Sequence, residues 1–350
     1  MDSTSGVGRR IRPKARSQRD VPRAVGVSWY ANELDGVVPL SEAVAHHAPV
    51  IRRLIERVSV VRALALFGFA VRGSTLVMTN PGLVSKVCSV LCSLIGRRRI
   101  VMLELIQHQR TGERGLRRWL DAVELAIQRV IFQRSVAVAQ VLSDSDVENY
   151  ASLYRVPQDR MALVRWPSHT ATEEFGVLAP AGRRVMASGK RVDWPTFFAA
   201  ARGTDWLVTA VCTSADEAAV RDQIATAGID ADLYVEIPPE QHHALMLAAD
   251  VYVLAVAETG TSIGHIRVMN AIDAGVPLVA SDVAALRGYV TTETARLVPP
   301  SDPAVMRREI DALLRDPDAR DALRRAAREA SSISMDQYLR ELSQLVASVS

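Results

Sequence analysis

Glu258-Thr-Gly-Thr-Ser-Ile-Gly-His-Ile-Arg-Val-Met-Asn-Ala-Ile-Asp-Ala-Gly-Val-Pro-Leu-Val-Ala-Ser-Asp282 is the stretch that decides the fold of this 350-residue chain. It reads as the exit of one strand, a loop rich in hydroxyls and glycine, a helix, a glycine stop and a second apolar strand. Gly260 and Gly264 let the backbone come close to a ligand, while Thr261 and Ser262 add hydroxyls. The helix that follows points unpaired N–H groups and the positive end of its dipole into the loop. Such a turn suits a phosphate or diphosphate, and it equally suits a merely tight strand-to-helix connection.

Working outward, the same alternation recurs on both sides. Strands are predicted near 184–187, 206–212, 231–237, 251–257, 276–281 and 295–298, each followed by a helical pattern. Earlier in the chain they are predicted near 24–29, 74–80, 99–105, 136–142 and 161–166. Short β-branched runs alternating with longer helices are the pattern of parallel βαβ units. In 116–131, Trp119, Leu120, Val123, Ala126, Ile127, Val130 and Ile131 recur at helical spacing, which predicts one buried stripe. Ser143-Asp144-Ser145 supplies N-cap chemistry for the helix that carries Tyr150 and Tyr154. Periodicity breaks over 169–184, the place for a domain boundary. The expected organisation is a disordered basic arm (1–21), a first Rossmann-like domain (22–170), a second (171–334) and a terminal helix (335–350).

Composition narrows the class. Hydrophobic residues make up 49% and charged residues 23%, enough to build large cores. A net charge of +3 gives no reason to expect a nucleic-acid partner. Of 42 basic residues only Lys14, Lys86 and Lys190 are lysines, so the positive charge is almost all guanidinium. Six arginines lie between Arg9 and Arg23. This arm, with the apolar, arginine-flanked stretch 51–72, is expected to make peripheral contact with an anionic membrane. No secretory signal and no spanning helix are expected. Cys88, Cys92 and Cys212 form no disulfide framework and read as small core residues of a cytoplasmic protein. The seven histidines are too scattered for a metal site, and the pairs His46-His47 and His242-His243 read as helix-surface residues.

Residues 270–282 resemble the E-A-M-A-A-G-V-P-V-V-A-S-D segment of GT-B glycosyltransferases of the family 4, or group 1, type. Ala295-Arg-Leu-Val-Pro-Pro-Ser-Asp-Pro-Ala304 is similar to that family's G-L-L-V-P-P-G-D-P-E, and Ser188-Gly-Lys190 to its glycine-basic mark. Val141-Leu-Ser-Asp144 and Tyr154-Arg-Val-Pro157 resemble marks that end its first domain. The resemblance spans roughly 135–345 and implies two doubly wound α/β domains facing a central cleft. The second would hold a nucleoside-diphosphate sugar, and the last helix would cross back onto the first, with Tyr338, Leu339, Leu342, Leu345 and Val346 as its docking stripe.

Carried over residue by residue, the resemblance implies Lys190 and Arg267 as diphosphate partners. Gly189, Glu258, Gly260, Thr261, Ser262, Gly264 and Asn270 would shape the donor site, and His108 would enter the cleft from the first domain. Two family carboxylates are replaced, by Asn270 and Ser262, and Glu258 stands close enough in sequence to substitute. The implied activity is metal-independent, retaining transfer to a glycan, lipid-linked or cell-envelope acceptor, with no cofactor beyond the donor. Two readings stay open beside it: a degenerate GT-B protein that binds a nucleotide-sugar or a partner enzyme without turnover, and a GT-B epimerase.

Overall fold

The computed structural model describes residues 21–28, 30–79, 82–106, 116–168, 182–258, 263–331 and 333–349. The first half runs β1 (Ala24–Gly26), β2 (Val37–Pro39), α1 (Leu40–Ala43), α2 (Pro49–Arg57), α3 (Ser59–Val71), β3 (Thr75–Thr79), α4 (Leu83–Leu94), β4 (Ile100–Leu103), α5 (Leu116–Ser135), β5 (Val136–Val141), α6 (Asp144–Tyr154) and β6 (Met161–Leu163). The second runs β7 (Arg184–Ser188), α7 (Trp194–Ala201), β8 (Leu207–Cys212), α8 (Glu217–Ala227), β9 (Ala231–Val235), α9 (Pro239–Leu247), β10 (Val251–Leu254), α10 (His265–Asp273), β11 (Leu278–Ser281), β12 (Arg296–Val298), α11 (Pro303–Arg315) and α12 (Pro317–Ala330). A last helix, α13 (Met335–Ala347), follows.

These strands form two six-stranded parallel sheets, in the orders β2-β1-β3-β4-β5-β6 and β12-β11-β10-β7-β8-β9. Helices cover both faces of such sheets, so β4, β10 and β11 are buried along their whole length and read as unbroken apolar runs. In the second sheet the chain leaves β7 toward β9, then returns to place β10 on the other side of β7. The strand order reverses between β7 and β10, and ligands of open α/β sheets bind beyond the strand C-termini at such a point. The first sheet reverses likewise between β1 and β3.

The two halves share one core. Tyr30, Trp166 and Tyr338 meet at ring-centroid distances of 5.6–6.5 Å, and the same buried cluster continues into Met269 and Val276. Helix α13 packs against first-half residues: Gln140 Nε2 donates to the Tyr338 hydroxyl at 3.1 Å, and the Asp35 amide donates to Ser343 Oγ at 3.0 Å. Its stripe is buried at Tyr338, Leu342 and Val346, with Leu339 and Leu345 half-buried against it. Ser143 caps α6 by accepting from the Asp146 amide. The three cysteines are free and buried.

Several expectations need correction. Strand β2 was not foreseen, because three residues ending in proline carry no periodicity and proline confines them to a sheet edge. The stripe on α5 is not buried. Trp119, Leu120, Val123, Ile127 and Val130 are 62%, 50%, 38%, 55% and 52% exposed. The helix instead turns its 125–128–132–135 row inward, with Phe132 stacked on Tyr154 at 4.1 Å. Periodicity shows that a helix has an apolar face; it does not show what covers that face. His46 and His47 lie in a turn after α1, not on a helix. The basic arm up to residue 20, Trp29 and most of the 169–184 boundary lie outside the described residues.

Candidate functional site

The C-terminal ends of β7 and β10 and the start of α10 converge at the reversal in the second sheet. After β7 the chain must turn at Gly189, whose φ is +102°. A β-carbon there would also lie 2.9 Å from Arg267 Cδ, so glycine is required by backbone angle and by space. Arg267, in the first turn of α10, lies across this glycine, and its Nη1 donates to the Ser188 carbonyl at 2.6 Å.

Behind Arg267 stands a polar chain between three elements. The Ser188 and Tyr252 hydroxyls are 2.7 Å apart, and His242 Nε2 on α9 is 2.8 Å from Ser188 Oγ. Burial raises the Tyr252 pKa, and the nearby Arg267 charge opposes that rise. Burial pulls the Arg267 pKa down, against the Tyr252 hydroxyl, yet a guanidinium keeps its charge in proteins. Burial, His243 and Arg267 all lower the His242 pKa, which favours the neutral ring. The guanidinium is therefore held in place by the Ser188 carbonyl and the Tyr252 hydroxyl.

Gly264 caps α10 with φ +85°, and a β-carbon there would meet Leu254 Cδ2 at 2.8 Å. The first internal helix bond runs from the Val268 amide to the Gly264 carbonyl, which leaves the amides of residues 265–267 without helical partners. His265, the first residue of α10, is 3% exposed, and neither ring nitrogen has a partner among the described residues. Burial first, and the Arg267 charge second, push its pKa down to about 4, so the ring is neutral at pH 7. Trp166 and Tyr289 flank it at 6.5 and 5.7 Å.

Of the residues named from the sequence, Gly189, Gly264 and Arg267 come together here. Lys190 follows Gly189, exposed, and its turn is tied to the β10 exit by the Asp193 amide donating to the Ala255 carbonyl at 2.8 Å. Asn270, half-buried one turn beyond Arg267, makes no side-chain hydrogen bond among the described residues. Glu258 is exposed, and its carboxylate accepts from the Ala284 amide at 3.3 Å. His108, Gly260, Thr261 and Ser262 lie outside the described residues. Sequence reasoning missed Ser188, His242, Tyr252 and His265. His242 was assigned to the helix surface and instead reaches into the site; the one local hint was Tyr252, a lone hydroxyl in an aliphatic strand. Among the described residues no group of His, Cys, Asp or Glu converges to hold a metal ion, and no helix is long and apolar enough to cross a membrane.

Residues 201–330 match the family described as Glycosyl transferases group 1. A search of curated proteins gives no match. Among solved structures the chain is similar to sucrose-phosphate synthase from Thermosynechococcus elongatus, with a TM-score of 0.63 and 16% identity over 89% of this chain and 82% of that one. It is also similar to Anabaena HepE in complex with UDP-glucose (TM-score 0.61, 14% identity, 89% and 85% covered). A third is a UDP-forming alpha,alpha-trehalose-phosphate synthase from Burkholderia xenovorans (0.60, 11%, 88% and 81%). The architecture is that of these GT-B structures: two parallel α/β domains, with residues 201–330 matching the group 1 family, in a sequence far diverged from these neighbours.

Proposed function

We propose that this divergent GT-B chain is a glycosyltransferase that takes a sugar from a nucleoside-diphosphate donor held at the β7–β10 reversal. One observation carries the reading: Arg267, clamped over Gly189 by the Ser188 carbonyl, sits beside the amides of residues 265–267, which have no helical partners. A pre-aimed guanidinium next to a helix N-terminus is complementary to a diphosphate. It gains most in the transition state, when the glycosidic bond breaks and negative charge builds on the leaving diphosphate. Lys190 adds a second cation at the same strand end. With two cations and a helix dipole on the leaving group, the chemistry runs without a metal ion, and the resemblance to the group 1 family implies that anomeric configuration is retained. A diphosphate oxygen, or His108, takes the acceptor proton as the new bond forms. Asn270 hydrogen-bonds the ribose diol in place of a carboxylate. Neighbours solved with UDP-glucose support a uridine donor.

The second reading, binding without turnover, is favoured by Asn270 and Ser262 standing where the family has carboxylates, with Glu258 already engaged by Ala284. One screen separates the two. Purified protein is tested against UDP-, GDP- and ADP-sugars, with thermal shift reporting binding and nucleotide release reporting turnover. Binding with release supports transfer or hydrolysis, binding without release supports the degenerate binder, and neither result refutes both. Arg267→Ala removes charge-assisted hydrogen bonds of about 1.5–3 kcal/mol and should weaken donor binding by about one to two orders of magnitude. Lys190→Ala, at an exposed position, should cost less.

A further inference from the structure

We infer that the outer surface of α3, α4 and α5, with the adjoining α2, docks on an anionic lipid bilayer. Among the described residues, sixteen of the twenty exposed large hydrophobic side chains fall between Val50 and Val130. They form stripes at helical spacing: Val60, Leu64 and Val71 on α3, and Leu83, Val90 and Leu94 on α4, with Leu94 71% exposed. The outward row of α5, headed by Trp119, continues the pattern. Right-handed crossovers in the order β2-β1-β3-β4-β5 put these helices on one side of the first sheet, each touching the next. The result is a ridged apolar face far broader than the scattered apolar exposure normal for a protein surface.

Charge identifies the occupant. Between Pro49 and Arg99 there are nine basic residues and one acid, Glu56, while α5 carries Arg117, Arg118, Arg129 and Arg134 against Asp121 and Glu124. Arg53, Arg57, Arg72 and Lys86 are exposed, and none pairs with a carboxylate among the described residues. A second copy of the same face would set cations against cations. An anionic leaflet instead accepts the aliphatic rows below its headgroups, the arginines at phosphate level and Trp119 at the interface. A cavity of about 260 Å³ opens beside the C-terminal ends of β1 and β2. It is walled by Ile55, Glu56 and Arg62 from the same α2–α3 junction that exposes Leu54 and Val58. Docking would bring that cavity to the leaflet, so the acceptor it admits is lipid-carried. This last step rests on the glycosyltransferase reading; docking itself does not.

The test is co-sedimentation of the full chain with vesicles of phosphatidylcholine alone or mixed with phosphatidylglycerol. The wild type is expected to sediment with the mixed vesicles only, and less as salt rises. Leu64→Glu/Val90→Glu/Leu94→Glu should abolish sedimentation. Arg53→Ser/Arg57→Ser/Lys86→Ser should lower partition by roughly two orders of magnitude. Both variants should keep the wild-type thermal shift with UDP-sugars, so failure here is distinguishable from failure of the donor site. Wild-type sedimentation by the apolar variant, or no sedimentation by the wild type, overturns the inference. So does light scattering that shows a dimer converted to monomer by the apolar variant, which would make this face a protein interface.

Discussion

Replacing Gly189 by alanine perturbs the donor site without removing any charge. The new methyl would lie 2.9 Å from Arg267 Cδ and 3.3 Å from both Nε and Nη1, at a backbone φ of +102°. Holding a non-glycine residue in that region costs about 1–3 kcal/mol, and the methyl can be admitted only if the guanidinium swings away. That movement breaks the 2.6 Å bond to the Ser188 carbonyl, a charged hydrogen bond worth about 1.5–3 kcal/mol. The guanidinium then meets a ligand as a mobile cation. Donor affinity should fall by about tenfold, less than for Arg267→Ala, and stability should fall by about 1–3 kcal/mol. The assay is calorimetric titration with the preferred nucleotide-sugar for wild type, both single variants and the double variant, with urea unfolding alongside. If Gly189 acts through Arg267, the alanine at 189 should cost almost nothing more once Arg267 is gone. Equal losses in both backgrounds, or wild-type affinity in a folded Gly189→Ala protein, would refute the clamp.

Two further outcomes follow from the buried groups. His265 is neutral in the folded state with a pKa pushed down to about 4, whereas its unfolded value is 6.5. As pH falls below 6.5 the unfolded chain takes up a proton that the native ring refuses, so stability declines until the pH reaches about 4, by about 3 kcal/mol in all. His265→Phe should flatten this part of a urea-unfolding profile against pH, and an unchanged slope would show that the ring is not the group responsible. Tyr338→Phe removes the hydroxyl that accepts from Gln140 Nε2 at 3.1 Å and should cost about 1–2 kcal/mol in unfolding free energy. Near-neutrality would place that bond among contacts water can replace.

The second domain was legible because parallel strands buried on both faces leave continuous apolar runs, and Gly264 and Gly275 punctuate the helix between two of them. Arg267 was legible because it lies one turn from Asn270 on the same helix. The chain behind it was not. Ser188 meets His242 and Tyr252 across 54 and 64 residues, and no local spacing records such a meeting. The α5 stripe shows the converse failure: its helical period was readable, but whether protein or solvent lay outside it depended on how four helices were layered, which is a property of the assembled sheet.

The crossing of α13 onto the first sheet sets an order of assembly during synthesis. Tyr30, Gln140 and Trp166 emerge from the ribosome long before Tyr338, Ser343 and Val346, the residues that cover them or bond to their neighbours. Throughout translation of the second domain the first must therefore hold an uncovered aromatic patch and a buried-type amide with one partner missing. Closure of the two halves therefore waits on α13, which is made after the whole of the second sheet.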